Sequence, residues 1–129
     1  MNALVTGGAR GIEIARAFAH YDLAFGAAPS LDILVNNAAI GRGDRDASLQ
    51  SGSKELFDEI MMVNAKGPYL VTHVALARLR DNGRIVNIGS ISGKVGQAFA
   101  AGYAMSKRAL PKQRRWAGWD SRMTLLAPS

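Results

Sequence analysis

Three short apolar runs in this chain each end in small or polar residues, and that repeated ending constrains the fold more than any other feature. Ala3-Leu4-Val5 runs into Thr6-Gly7-Gly8. Leu31-Asp32-Ile33-Leu34-Val35 runs into Asn36-Asn37-Ala38-Ala39, and Arg84-Ile85-Val86-Asn87-Ile88 runs into Gly89-Ser90. If the runs are parallel strands of one sheet, their carboxyl ends share a rim, and ligands of open α/β sheets bind beyond that rim. Gly7, Asn36, Asn37 and Ser90 are then brought to one edge. The first run also leads into the apolar-periodic stretch Ile12, Ile14, Ala15, Phe18 and Ala19. Strand, glycine loop and helix in that order form the context a dinucleotide-phosphate motif requires. Gly7 can take a tight turn, and Gly11 lets the backbone approach a pyrophosphate that faces free helix amides.

A second constellation lies further along. Tyr103-Ala104-Met105-Ser106-Lys107 places a phenol and an ammonium four residues apart, hence neighbours on one helix face. A nearby ammonium favours the charged form of a phenol. Such a phenol can exchange a proton with a ketone or alcohol oxygen. Alone the pair is a weak signal in a chain with 16 lysines and arginines. Ser90 could equally cap a turn, Asn64 could mark a helix irregularity beside Gly67-Pro68, and Tyr103 could be packed core.

Taken together, these motifs resemble the short-chain dehydrogenase/reductase family. Thr6 to Glu13 is similar to its Thr-Gly-x-x-x-Gly-x-Gly motif except at the last position, where Glu13 replaces glycine. Asn36-Asn37-Ala38-Ala39 resembles its Asn-Asn-Ala-Gly motif, and Asn64 matches its helix asparagine. Ser90, thirteen residues before Tyr103, matches its serine, and Tyr103 with Lys107 its Tyr-x-x-x-Lys. The resemblance implies an oxidoreductase that moves a hydride between NADP or NAD and a ketone or secondary alcohol. It implies Tyr103 as acid/base, Ser90 on the substrate oxygen, Lys107 on the nicotinamide ribose and Asn64 positioning a water in a proton relay. It places the cofactor against Thr6, Gly7, Arg10, Gly11, Ile12, Asn36, Asn37 and Ala38, together with Tyr103 and Lys107. Arg10 could meet a 2′-phosphate, which puts NADP ahead of NAD. Asp32 lies at the fingerprint's ribose-carboxylate distance but opens a later strand, so it reads as structural.

The departures shape the expected fold. Only 24 residues separate Gly11 from Asn36, room for one helix before the strand at 32–36. The family's second and third strands are therefore expected to be missing. Of the Rossmann order 3-2-1-4-5-6, strands corresponding to 1-4-5-6 remain, a reduced Rossmann-like α/β parallel sheet flanked by helices. Right-handed crossovers would put the first helix on the unusual face, leaving the other face thinly covered. One helix is expected over about 53–80, with Leu56, Phe57, Ile60, Val63, Leu70, Val74 and Ala77 as its core stripe. The resemblance implies that this helix pairs with a partner subunit. Its companion would be the helix that begins near residue 100, and Pro111 breaks that one, which leaves a homo-oligomer possible with a disrupted interface.

Length and composition fit a single domain over 1–129 able to bury a core. At 48% hydrophobic and 20% charged residues the chain reads as globular. It has no cysteine, which fits a reducing cytoplasm and excludes thiol-based metal sites. His20 and His73 are isolated, so no metal is expected. Apolar runs are too short for a membrane span. Between Lys107 and Arg122 six basic residues face one acidic residue, with Trp116 and Trp119 interleaved. Such a stretch can bind nucleic acid, but a solvated surface is the expected reading. Two rivals stand beside the oxidoreductase: a non-catalytic remnant keeping part of the cofactor rim, and a basic nucleic-acid module.

Overall fold

The computed structural model describes residues 1–7, 30–41, 50–95, 97–109 and 123–126, the last group by its backbone. Four strands form one parallel sheet: β1 (Ala3–Val5), β2 (Leu31–Asn36), β3 (Leu79–Ile88) and β4 (Met123–Leu126). They lie in the order β1-β2-β3-β4, the order expected for a sheet reduced to strands 1, 4, 5 and 6. Ala3 pairs with Ile33, Leu34 with Ile85, Asn36 with Asn87, and Asn87 with Leu125. The glycine turn and both polar strand ends therefore share one rim.

Between β2 and β3 the chain forms α1 (Lys54–Met61), a π-turn (Met62–Lys66) and α2 (Gly67–Leu76). Ser53 caps α1 by accepting a hydrogen bond from the Leu56 amide at 3.3 Å, which satisfies one orphan donor of the first turn. The expected single stripe over 53–80 is corrected in the second half. Val71 and Ala75 enter the core and Val74, as expected, packs against it, whereas Leu70 is half-buried and Ala77 is exposed. The π-turn at Met62–Lys66 interrupts the α-period, and beyond it the buried face runs through Gly67, Val71 and Ala75. The helix also stops earlier than expected, at Leu76, and β3 starts at Leu79 rather than Arg84. The register shifts between the Leu31 and Ile33 pairings, which absorbs the exposed Arg80-Asp81-Asn82 segment.

The core is made by Leu31, Leu34, Val71, Ala75, Leu79 and Ile85, with Leu4 and Val74 packed against it. It lies between α2 and one face of the sheet. Leu34 and Ile85 point to this face, and strand alternation sends Ile33, Val35, Val86 and Ile88 to the other. Those four are only half-buried, and Val5 is exposed. The first helix expected over about 11–25 lies outside the described residues. So do the basic Trp116 and Trp119 stretch and Pro111.

Asp32 sits at the amino end of β2, opposite the polar rim. Its carboxylate accepts from the Asn2 amide at 2.6 Å and pairs with Arg80 at 3.3 Å. It ties strand beginnings together.

Candidate functional site

The glycine turn is laced to the loop after β2 by a single hydroxyl. Thr6 Oγ1 accepts from the amides of Asn37 (3.0 Å) and Ala38 (3.1 Å). The Asn37 side chain in turn donates to the Thr6 carbonyl at 3.2 Å. Gly7 adopts φ +107°, a region that disfavours side chains, and a Cβ there would lie 2.6 Å from Asn37 Nδ2. Gly7 thus holds backbone and loop at a separation no other residue permits. Arg10, Gly11, Ile12 and Glu13 lie outside the described residues.

Asn36 is placed differently from its neighbour. It is buried, and its Nδ2 donates to Thr72 Oγ1 (3.0 Å) and to Asn87 Oδ1 (2.8 Å) on the adjacent strand. Its own Oδ1 is buried with no hydrogen-bond partner. The side chain therefore braces β2, β3 and α2 beneath the rim, while Asn37 is the exposed member of the pair.

The helix bearing Tyr103 and Lys107 is α3 (Ala101–Arg108). Three contacts seat it on the rim. Lys107 reaches back to β3, its Nζ donating to the Ile88 carbonyl at 3.0 Å, two residues before Ser90. Gly93, in the short 3-10 turn Ile91–Gly93, abuts the helix backbone; a Cβ there would stand 2.9 Å from the Lys107 carbonyl carbon. Ser106 Oγ accepts from Asn64 Nδ2 at 3.0 Å, joining α3 to the π-turn.

Lys107 is only 6% exposed, and its Nζ lies 5.8 Å from the centroid of the Tyr103 ring. Burial pushes its ammonium below the ordinary lysine range, because leaving water penalises the charged form. Ser90 is half-buried, and its Oγ accepts from the Ser92 amide at 3.2 Å. The turn-capping role envisaged for Ser90 is therefore present. Asn64 is 1% exposed within the π-turn. Its Oδ1 accepts from the Ile40 amide and its Nδ2 donates to the Ile40 carbonyl, each at 2.8 Å. With Ser106 as the second acceptor for Nδ2, the side-chain amide hydrogens are spent. Among the described residues no cluster of His, Cys, Asp or Glu could hold a metal ion.

Sequence reasoning passed over Ser106, Gly41 and Gly93. Ser106 lies inside the Tyr103–Lys107 stretch and offered its signal there, a polar residue on the buried side of a helix. Gly41 packs on Tyr103, where a Cβ would be 3.2 Å from Cδ2. That contact joins residues 62 positions apart, and no local pattern announces it.

Comparison with known proteins decides the family. The model of the short chain dehydrogenase family matches residues 13–115. This chain belongs to that family. Among curated relatives, an uncharacterised oxidoreductase from Mycobacterium bovis is 40% identical over 79 residues, covering 60% of this chain and 31% of its own length. A 3-oxoacyl-[acyl-carrier-protein] reductase from Thermotoga maritima is 35% identical over 105 residues, covering 76% of this chain and 42% of its own. Among solved structures, an angucycline C-6 ketoreductase with bound NADP superposes with a TM-score of 0.64 at 32% identity, covering 79% of this chain and 40% of that one. A 3-oxoacyl-[acyl-carrier protein] reductase from Brucella melitensis gives 0.67 at 27% identity, with 79% and 44% covered. The chain spans about a third of the length of the first curated relatives it matches.

Proposed function

We propose that this chain is an NADP- or NAD-dependent oxidoreductase that moves a hydride between the nicotinamide and a small ketone or secondary alcohol. The observation that carries the reading is the seating of α3. Lys107 is held to the Ile88 carbonyl at the carboxyl end of β3, two residues before Ser90 in the chain, its Nζ lies 5.8 Å from the Tyr103 ring, and Ser106 on the same helix joins the Asn64 turn, which supports this reading. The Gly7 turn, pressed to Asn37 and Ala38 on the same rim, fits the close backbone approach a dinucleotide demands.

When bound, a reduced nicotinamide supplies the hydride that a ketone carbon receives. Tyr103 gives its phenolic proton to the carbonyl oxygen, and in the reverse direction takes it from the alcohol. Ser90 Oγ donates a hydrogen bond to that oxygen as negative charge grows on it. Lys107 spends one of its three N–H donors on Ile88, and its remaining donors would hold the cofactor through its ribose hydroxyls. Because the Asn64 side chain is fully engaged, its part in a proton relay falls to the main chain of the π-turn, a type of distortion frequent at functional sites. Thr6, Gly7, Arg10, Gly11, Ile12, Asn37 and Ala38 form the cofactor rim, and Asn36 supports it from below. NADP is placed ahead of NAD through Arg10, in line with the NADP named for the ketoreductase neighbours. A cytoplasmic setting belongs to the same proposal; among the described residues no helix is long and apolar enough to cross a membrane.

The test is oxidation of NADPH, followed by its absorbance, with a panel of ketones. Turnover is expected, and Tyr103→Phe should lower it by about 10²-fold or more. Turnover that survives this substitution would refute the assignment. The second reading is a chain that binds the cofactor without turnover, favoured by the small share of each relative that it spans. Saturable NADPH binding with no ketone reduced would decide for it.

A further inference from the structure

We infer that Ser106 is a positioning residue, which sets the Tyr103 ring through a closed circuit of contacts that leaves α3 and returns to it. The inference rests on the acid/base role proposed for Tyr103. Ser106 is 0% exposed, and its hydroxyl donates to the Tyr103 carbonyl at 2.7 Å while accepting from Asn64 Nδ2 at 3.0 Å. Asn64 passes the constraint on by clasping both polar groups of the Ile40 peptide backbone. The next residue, Gly41, lies against the Tyr103 ring. One end of the circuit therefore grips the backbone of Tyr103 and the other end touches its side chain.

Each link resists slippage for a stated reason. A two-point clasp on Ile40 fixes the loop in rotation as well as distance. The Asn64 donor has no water to turn to at its depth, so losing Ser106 Oγ strands it. An alanine at 106 would be the better helix former but removes the Asn64–Ser106 hydrogen bond between the π-turn and α3. The loop carrying Gly41 could then drift, and the ring with it. Misplacement of a reacting group by a fraction of an ångström to an ångström is enough to slow a reaction strongly while leaving remote binding intact.

The experiment compares the unmodified chain with Ser106→Ala, Ser106→Thr and Gly41→Ala. Three readouts are taken: steady-state ketone reduction, NADPH affinity by fluorescence, and the ¹³C-tyrosine NMR signal of Tyr103, assigned with Tyr103→Phe. For Ser106→Ala kcat should fall about tenfold or more, with KM and the NADPH dissociation constant within about twofold. The Tyr103 resonance should move, and Ser106→Thr, which keeps the hydroxyl, should restore both resonance and rate. Gly41→Ala presses the ring from the exposed end of the circuit and should move the same resonance. An unmoved Tyr103 signal in Ser106→Ala overturns the inference; so does an equal loss of rate in the alanine and threonine variants. Should Ser106→Ala not fold, Gly41→Ala decides, and an unmoved resonance there is again fatal. If the unmodified chain reduces no ketone, the proposed function fails, while the NMR arm still judges the circuit.

Discussion

At the scale of the residue, Lys107 joins its proposed role in the chemistry to a cost of burial. Burial lowers its pKa in the folded chain below the 10.5 of an exposed lysine. Between those two values the unfolded chain binds the extra proton, so stability rises as pH increases through that window. Below the folded value both states are protonated and the burial cost is constant. Relative to Lys107→Met, the unmodified chain should therefore gain stability as pH is raised from neutral towards 10.5. Urea denaturation at a series of pH values would measure it; a stability relative to Lys107→Met that stays flat or falls as pH rises counts against a buried ammonium. The Tyr103–Lys107 pair was legible in the sequence because helical spacing alone makes them neighbours. The Ile88 carbonyl that holds Lys107 was not, since it is supplied by a strand whose distance from the helix no spacing rule gives. Asn36 and Asn37 were read alike as rim residues. Strand alternation separates them, turning one into the core and the other out.

At the scale of the element, the π-turn interrupts the long helical segment. The expected stripe is buried at Ile60 and Val63 and continues past the turn, as read from the sequence, through Leu70, Val74 and Ala77. In the structure Val71 and Ala75 are buried and Val74 packs against the core, while Leu70 is half-buried and Ala77 exposed. Composition carries no sign of the π-turn beyond Gly67-Pro68 just after it. The short turn after Ser90 is equally consequential, for Gly93 there sets how closely α3 may approach. A methyl group would meet helix backbone at about 3 Å, and backbone cannot swing aside as a side chain can. Gly93→Ala should destabilise the fold by about 1–3 kcal/mol and slow turnover more than it weakens NADPH binding. Thermal unfolding together with the kinetics would show this; a neutral substitution would mean that α3 has slack against the turn.

At the scale of the whole molecule, the sheet order followed from counting. The interval between Gly11 and Asn36 is too short for two further strands, and β1 lies directly beside β2. The counting argument also anticipated a thinly covered face, and Ile33, Val35, Val86 and Ile88 are half-buried there. The opposite face concentrates the burial, with Leu34 at 0% exposure near its centre. Leu34→Ala should cost about 2–5 kcal/mol, a large part of the 5–15 kcal/mol typical of a domain. Guanidinium unfolding would test this, and a loss below about 1 kcal/mol would mean that the cluster around Leu34 is not the main core. The exposed Arg80–Asp32 pair at the far rim contributes little by comparison.

The Thr6 hydroxyl has one more consequence. By accepting two amides from the neighbouring loop it fixes the spacing of two strand ends through protein contacts alone. At Thr6, Asn37 and Ala38 the rim is thus already in shape, so the proposed ligand would cost little ordering entropy there. Under the proposed function, a dinucleotide would be recognised at Thr6, Asn37 and Ala38 by fit rather than by closure, with small displacements of their backbone.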